Sequence, residues 1–241
     1  MSLTVGIIAK DGLVLASDSR MGNTVSIIDN VEKIIVLNDN IALGVAGDGT
    51  LASHIFDILK RDNKLSLNEG IHSVADQLRK ELSEIFDKYY PTIPIEKRDE
   101  LHILLAGYST DTPPVPHLYE LMSNDNFIPR QSPSGHNSIG SPHISEYILN
   151  RIYEKGKINS EQAAKLSIFC IKETSTQIKS VGGPIKVGIF SEKMKFALLP
   201  KEKVFSLINQ CKKMQDFQKN RFYPEETEGS DMHSETKHKK F

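Results

Sequence analysis

The chain has 241 residues, 39% hydrophobic and 25% charged, enough to bury the core of one large domain or two small ones without disulfide or metal staples. Thirty basic residues against 31 acidic ones leave a net charge of −1, so no global field draws in nucleic acid or an anionic membrane. No apolar run approaches the roughly 20 residues that span a bilayer, the opening MSLTVGIIAK lacks the basic region of a secretory signal, and Cys170 and Cys211 have no metal-type spacing, which together give a cytoplasmic reading with no metal or cofactor.

In chain order, residues 4–10 and 13–18 read as strands joined by Asp11-Gly12, a two-residue hairpin signal. Residues 33–37 and 41–46 repeat the scheme around Asn38-Asp39-Asn40. A helix follows Gly47, capped by Thr50, with Leu51, Ala52, Ile55, Phe56 and Leu59 on one face. A second runs over about 68–89 and ends before Pro91 and Pro94. Strands at 101–107 and 116–122 precede a turn-rich stretch through 123–135. Ser141-Pro142 reads as N-cap and first residue of a helix over about 142–154, followed by another over 160–176. Gly182-Gly183-Pro184 breaks the chain before a last pair of strands, 185–190 and 194–199. An amphipathic helix over 201–219 follows, and beyond Tyr223 the polar tail reads as disordered. The division expected is a domain over 1–200, a helix over 201–222 and a tail over 223–241. This order suits two sheets packed face to face with helices outside, without singling that arrangement out.

The segments TVGIIAKDGLVLASDSR and DNVEKIIVLNDNIALGVAG resemble the opening of proteasome β subunits and their ancestral-β relatives, most clearly from Ser2 to Leu59. The likeness continues through Ile139-Gly140-Ser141 and Ser180-Val181-Gly182-Gly183-Pro184. It implies an α+β fold, a four-layer αββα sandwich of two antiparallel sheets flanked by helices. It also implies an N-terminal-nucleophile hydrolase that cleaves peptide amides. The family nucleophile lies sixteen positions before the Asp of S-D-S-R; that Asp is Asp18, so the nucleophile is Ser2, exposed by removal of Met1. The family lysine falls on Lys33, by its VEKII context. Gly47 corresponds to the glycine whose N–H forms the oxyanion hole, and Ser141 to a serine beside the terminal amine, although its place before Pro142 suits a helix cap equally well. Met21, Val45 and Gly49 correspond to the lining of the substrate pocket.

A terminal serine carries its own general base, an α-amine with an ordinary pKa near 8. Lys33 would favour the ionised hydroxyl and discourage protonation of that amine, while Asp18 would hold Lys33 charged. The resemblance departs at Ile178 and Val181, where active members carry Asp and Ser, and in having serine as the nucleophile. It further implies a homo-oligomer, ring or helical, with unfolded protein or peptide as substrate and a separate ATPase as a possible partner. The alternatives are a non-catalytic assembly subunit, disfavoured because only three residues precede Thr4, and an acyl or peptide transferase. His143 and Glu146, one helical turn apart, read as a surface pair, and His233 and His238 as solvated residues of the tail.

Overall fold

The computed structural model describes residues 2–22, 27–62, 64–190 and 195–222. Met1 and the tail from residue 223, with the disorder expected there, lie outside the described residues. The Asp11-Gly12 turn closes a hairpin of β1 (Leu3–Ala9) and β2 (Gly12–Ser17), in register from Thr4 opposite Ser17 to Ala9 opposite Gly12. A short hairpin of β3 (Met21–Gly22) and β4 (Ile27–Ile28) follows. The next hairpin pairs β5 (Ile34–Asn38) with β6 (Ile41–Gly47), and Asn38 braces its turn by accepting the Asn40 N–H (2.8 Å). Strands β7 (Leu101–Tyr108), β8 (Pro116–Met122), β9 (Arg130–Gln131) and β10 (His136–Gly140) come next, and β11 (Lys186–Phe190) and β12 (Phe196–Leu198) end the strand series. Among the described residues these make two five-stranded antiparallel sheets, ordered β10-β1-β2-β11-β12 and β5-β6-β7-β8-β9.

Apolar surface fixes the layers. Helices α1 (Gly49–Arg61) and α2 (Gly70–Tyr89) bury Leu51, Ile55, Ile71, Leu78 and Leu82 against Leu43, Ile103 and Leu105 of the second sheet. Helices α3 (His143–Ile152), α4 (Ser160–Gln177) and α5 (Lys201–Phe222) bury Leu149, Ile168, Ile171 and Leu207 against Leu3, Val5 and Val14 of the first. A third cluster, with Leu13, Leu15, Leu104, Ala106 and Phe190, fills the space between the sheets. The order is helix, sheet, sheet, helix. The αββα sandwich expected from the sequence is what the chain forms.

Two local expectations need correction. Asp48, not Thr50, caps α1: its Oδ1 accepts the Leu51 N–H at 2.8 Å, and its carbonyl takes the Ala52 N–H. Helix α3 starts at His143 with Pro142 as N-cap and no side-chain cap, so Ser141 does not serve that role. Asn159 caps α4 in a reciprocal capping box with Gln162. Residues 136–140, which carry no strand pattern in the sequence, form β10 and pair with β1 from Leu3 opposite Gly140 to Ile7 opposite His136.

Candidate active site

The start of β1 carries Ser2 into the gap between the sheets, where Thr4 Oγ1 donates to the Val45 carbonyl (3.3 Å) and ties β1 to β6. On its other flank, the Ser141 N–H donates to the Ser2 carbonyl at 2.9 Å. That approach depends on Gly140, whose φ of +93° puts it in the left-handed region and whose missing Cβ would sit 2.1 Å from the Ser2 oxygen. Gly140→Ala is therefore expected to cost about 1–3 kcal/mol and to push Ser2 out of place. A lowered thermal midpoint, together with loss of any Ser2 reactivity, checks this. The Ser141 hydroxyl is buried and has no hydrogen-bond partner among the described residues.

Asp18, at the end of β2, is fully buried. Its Oδ1 accepts from the Leu3 N–H (2.9 Å) and Lys33 Nζ (2.7 Å), and its Oδ2 from the N–H groups of Gly182 (2.9 Å) and Arg20 (3.2 Å). Four donors on one carboxylate offset its desolvation. Lys33 is 5% exposed and also donates to the Arg20 carbonyl. An ammonium has three N–H donors; two are taken here, so one remains for the cleft that Lys33 shares with Ser2. Burial pulls the Lys33 pKa below the usual lysine value, and the Asp18 carboxylate opposes that pull.

Gly47 ends β6. Residues two apart in a strand aim their N–H groups the same way, and the Val45 N–H goes to the Lys33 carbonyl (2.9 Å), where the pairing of β5 with β6 runs out. The Gly47 N–H is thus aimed one step beyond, into the same cleft and beside the N-terminus of α1, where the helix dipole favours negative charge. Ser2, Lys33 and Gly47 line a narrow cleft of about 40 Å³ with Met21, Val45, Gly49 and Val31. The Met21 sulfur packs over Gly49, 2.3 Å from where a Cβ there would be.

The structure therefore gathers every residue the sequence nominated. Ser2, Lys33, Gly47, Met21, Val45 and Gly49 face one cleft; Asp18 and Ser141 touch the backbone and charge that surround it. At the two departures, Ile178 and Val181 pack into the apolar cluster beneath the outer helices. The backbone of their loop is what reaches the site, through the Gly182 N–H to Asp18 and the Ser19 N–H to the Gly182 carbonyl (3.1 Å). Elsewhere, burial pushes the thiols of Cys170 and Cys211 up in pKa, which makes both poor nucleophiles. Among the described residues no group of three or more His, Cys, Asp or Glu is placed to hold a metal ion. No helix among them is long and apolar enough to cross a membrane.

A family model described as "Proteasome subunit" matches residues 2–190 of the chain. The chain belongs to the proteasome subunit family. Similar relatives include the proteasome subunit beta of Methanopyrus kandleri, 25% identical over 209 residues that cover 86% of this chain and 94% of the relative. The proteasome subunit beta of Nanoarchaeum equitans is 48% identical over 69 residues, 27% of this chain and 34% of that one. Among solved structures, the ancestral β-subunit from Yersinia bercovieri superposes with a TM-score of 0.76 at 18% identity, over 92% of this chain and 97% of its own. A mutant of the corresponding protein from Hyphomicrobium sp. strain MC1 gives 0.75 at 18% identity, over 95% and 100%. At such identity these two matches speak to the fold alone. The chain is a proteasome-β-like member of the N-terminal-nucleophile hydrolases.

Proposed function

We propose that the chain is a peptidase acting through Ser2 once Met1 has been removed. The observation that carries this reading is the convergence of Ser2, Lys33 and the Gly47 N–H on one cleft, with Lys33 held by a fully buried Asp18. In the reaction, Ser2 Oγ attacks the amide carbonyl carbon while its proton passes to the Ser2 α-amine. The oxyanion that forms takes the Gly47 N–H, a type of contact worth about 3–4 kcal/mol in rate where it has been removed elsewhere. The C–N bond then breaks, the α-amine returns the proton to the leaving amine, and an ester remains on Ser2. Water, deprotonated by the same amine, hydrolyses that ester and restores the hydroxyl. The Ser141 hydroxyl, without a partner among the described residues and beside Ser2, serves to orient the amine. Met21, Val45 and Gly49 would receive the side chain before the scissile bond.

The pH dependence follows from two groups. The α-amine must be neutral, with an ordinary value of about 7.7–8.0 that the nearby Lys33 charge lowers. Lys33 must stay protonated, and burial brings its own value down. The expected profile of kcat/KM against pH is a bell, rising through the amine's pKa and falling before the ordinary lysine value of about 10.4. A rate that still climbs above that pH would remove Lys33 from the charged role.

The reading is tested by incubating the purified protein with unfolded casein and short peptide amides and following fragments by mass spectrometry. Defined fragments from the wild type are expected; intact substrate throughout would contradict the proposal. Met21→Ala should widen the cleft and shift cleavage toward bulkier side chains, read from the same fragments. The relatives are named as proteasome subunits, which supports an oligomeric assembly of this chain; native mass measurement checks the copy number.

A further inference from the structure

Arg20 joins three segments that are far apart in the sequence. Its main chain touches both halves of the ion pair: the N–H donates to Asp18 and the carbonyl accepts from Lys33 Nζ. Its side chain turns outward, and the planar guanidinium grips Asp29 with Nε on Oδ1 (2.9 Å) and Nη2 on Oδ2 (3.2 Å). The remaining arm, Nη1, donates to the Lys179 carbonyl (3.1 Å), 159 residues away. Asp29 opens the segment that leads to Lys33, docked again by the Val31 N–H on the Ser19 carbonyl (2.9 Å). Lys179 opens the loop that delivers the Gly182 N–H to Asp18. The two glycines of that loop press on the clamp: a Cβ on Gly182 would meet the guanidinium at 2.8 Å, and one on Gly183 the Asp29 carboxylate at 3.0 Å. One fork thus closes the Lys33 segment and the Gly182 loop over the same buried carboxylate.

We infer that the Arg20–Asp29 pair is a positioning device, locking the 29–33 segment and the 178–183 loop so that Asp18 and Lys33 keep their geometry toward Ser2. The pair touches no reacting atom. It takes the place of side-chain contacts that the loop cannot offer, since Ile178 and Val181 are turned into the apolar core. The inference rests on the peptidase reading for its effect on rate, and on geometry alone for its effect on Lys33. A misplacement of about 1 Å can cost about 100-fold in rate.

The test is the titration of Lys33, followed by isotope-labelled lysine NMR, in the wild type, Asp29→Ala and Arg20→Lys, beside kcat and KM on a short peptide. The charged groups that bear on Lys33 are Asp18, Asp29 and Arg20. Direct loss of the Asp29 charge would lower the Lys33 pKa further. Loss of the clamp admits water to the ammonium and raises it toward the ordinary value. The clamp therefore predicts an upward shift in Asp29→Ala, with kcat lower by about 10–100-fold and KM within about twofold. Arg20→Lys keeps both charges but loses the fork, and should show the same upward shift and lower kcat to a smaller degree. A downward or unchanged Lys33 titration in Asp29→Ala overturns the inference. So does wild-type behaviour of Arg20→Lys, which also decides the matter if Asp29→Ala does not fold. A wild type that turns over no peptide would instead remove the peptidase reading, while the Lys33 titrations still decide the clamp.

Discussion

Ser2→Ala is expected to lower kcat on peptide substrates by at least about a thousand-fold, while the fold persists. Among the described residues the cleft has one other serine, Ser53 of α1, and it carries no terminal amine to act as its base. The two thiols are buried and raised in pKa, and Ser141 has no amine of its own to act as base. Nucleophile deletions in hydrolases of this logic cost about 10⁶ in kcat, and what survives comes from binding and the oxyanion donor. The folded state should barely notice the change. The structural contact of Ser2 runs through its backbone carbonyl to the Ser141 N–H, and alanine keeps that carbonyl. Alanine is also small enough for Met1 to be removed as before. A stability change of no more than about 1 kcal/mol, typical of a point substitution, with turnover lost, is the expected pair of results. Undiminished turnover would point to another nucleophile.

Asp18→Ala should have the largest effect on stability. It leaves Lys33 as a buried cation without its anion, and takes the acceptor from the N–H groups of Leu3, Arg20 and Gly182. Breaking a buried pair from one side costs about 3–5 kcal/mol. For a chain of this length that lowers the thermal midpoint by about 6–20 °C. The orphaned Lys33 would respond by losing its proton at a lower pH, so turnover should fall as well. The double variant Asp18→Ala/Lys33→Ala should be less destabilised than the sum of the single ones, because it removes the uncompensated charge. Thermal unfolding of the set checks this; simple additivity would mean that the pair is not coupled.

The front hairpins are legible in the sequence because their turns carry strong local signals, whereas the candidate site residues come from the resemblance to proteasome β subunits and not from any local pattern. The Asp11-Gly12 turn fixes the register that brings Ser17 opposite Thr4, and so Asp18 beside Leu3. The hairpin around residues 38–40 does the same for Lys33 and Val45. What stayed hidden depends on pairings that no local pattern announces. Strand β10 is polar along HNSIG; its Ser138 is satisfied inside a buried network, donating to Glu146 (2.6 Å) and accepting from Ser145 (2.8 Å), so it does not show the apolar alternation of a strand. That network also draws Glu146 inward, against the surface pairing with His143 expected from their spacing. Ser141 before Pro142 carries the look of a helix cap, yet pairing of Gly140 with Leu3 holds it at the start of β1 instead. The grip of Arg20 on Asp29 and Lys179 is hidden for the same reason: its partners lie 9 and 159 residues away.

The peptidase mechanism requires a free terminal amine at Ser2. Its most direct measurement is the intact mass of the purified protein, taken before and after incubation with an electrophile that bridges an N-terminal amine and its own hydroxyl. The expected result is a mass lacking Met1, then a single adduct that maps to Ser2 and is missing in Ser2→Ala. A chain that retains Met1, or an adduct that maps elsewhere, would contradict it.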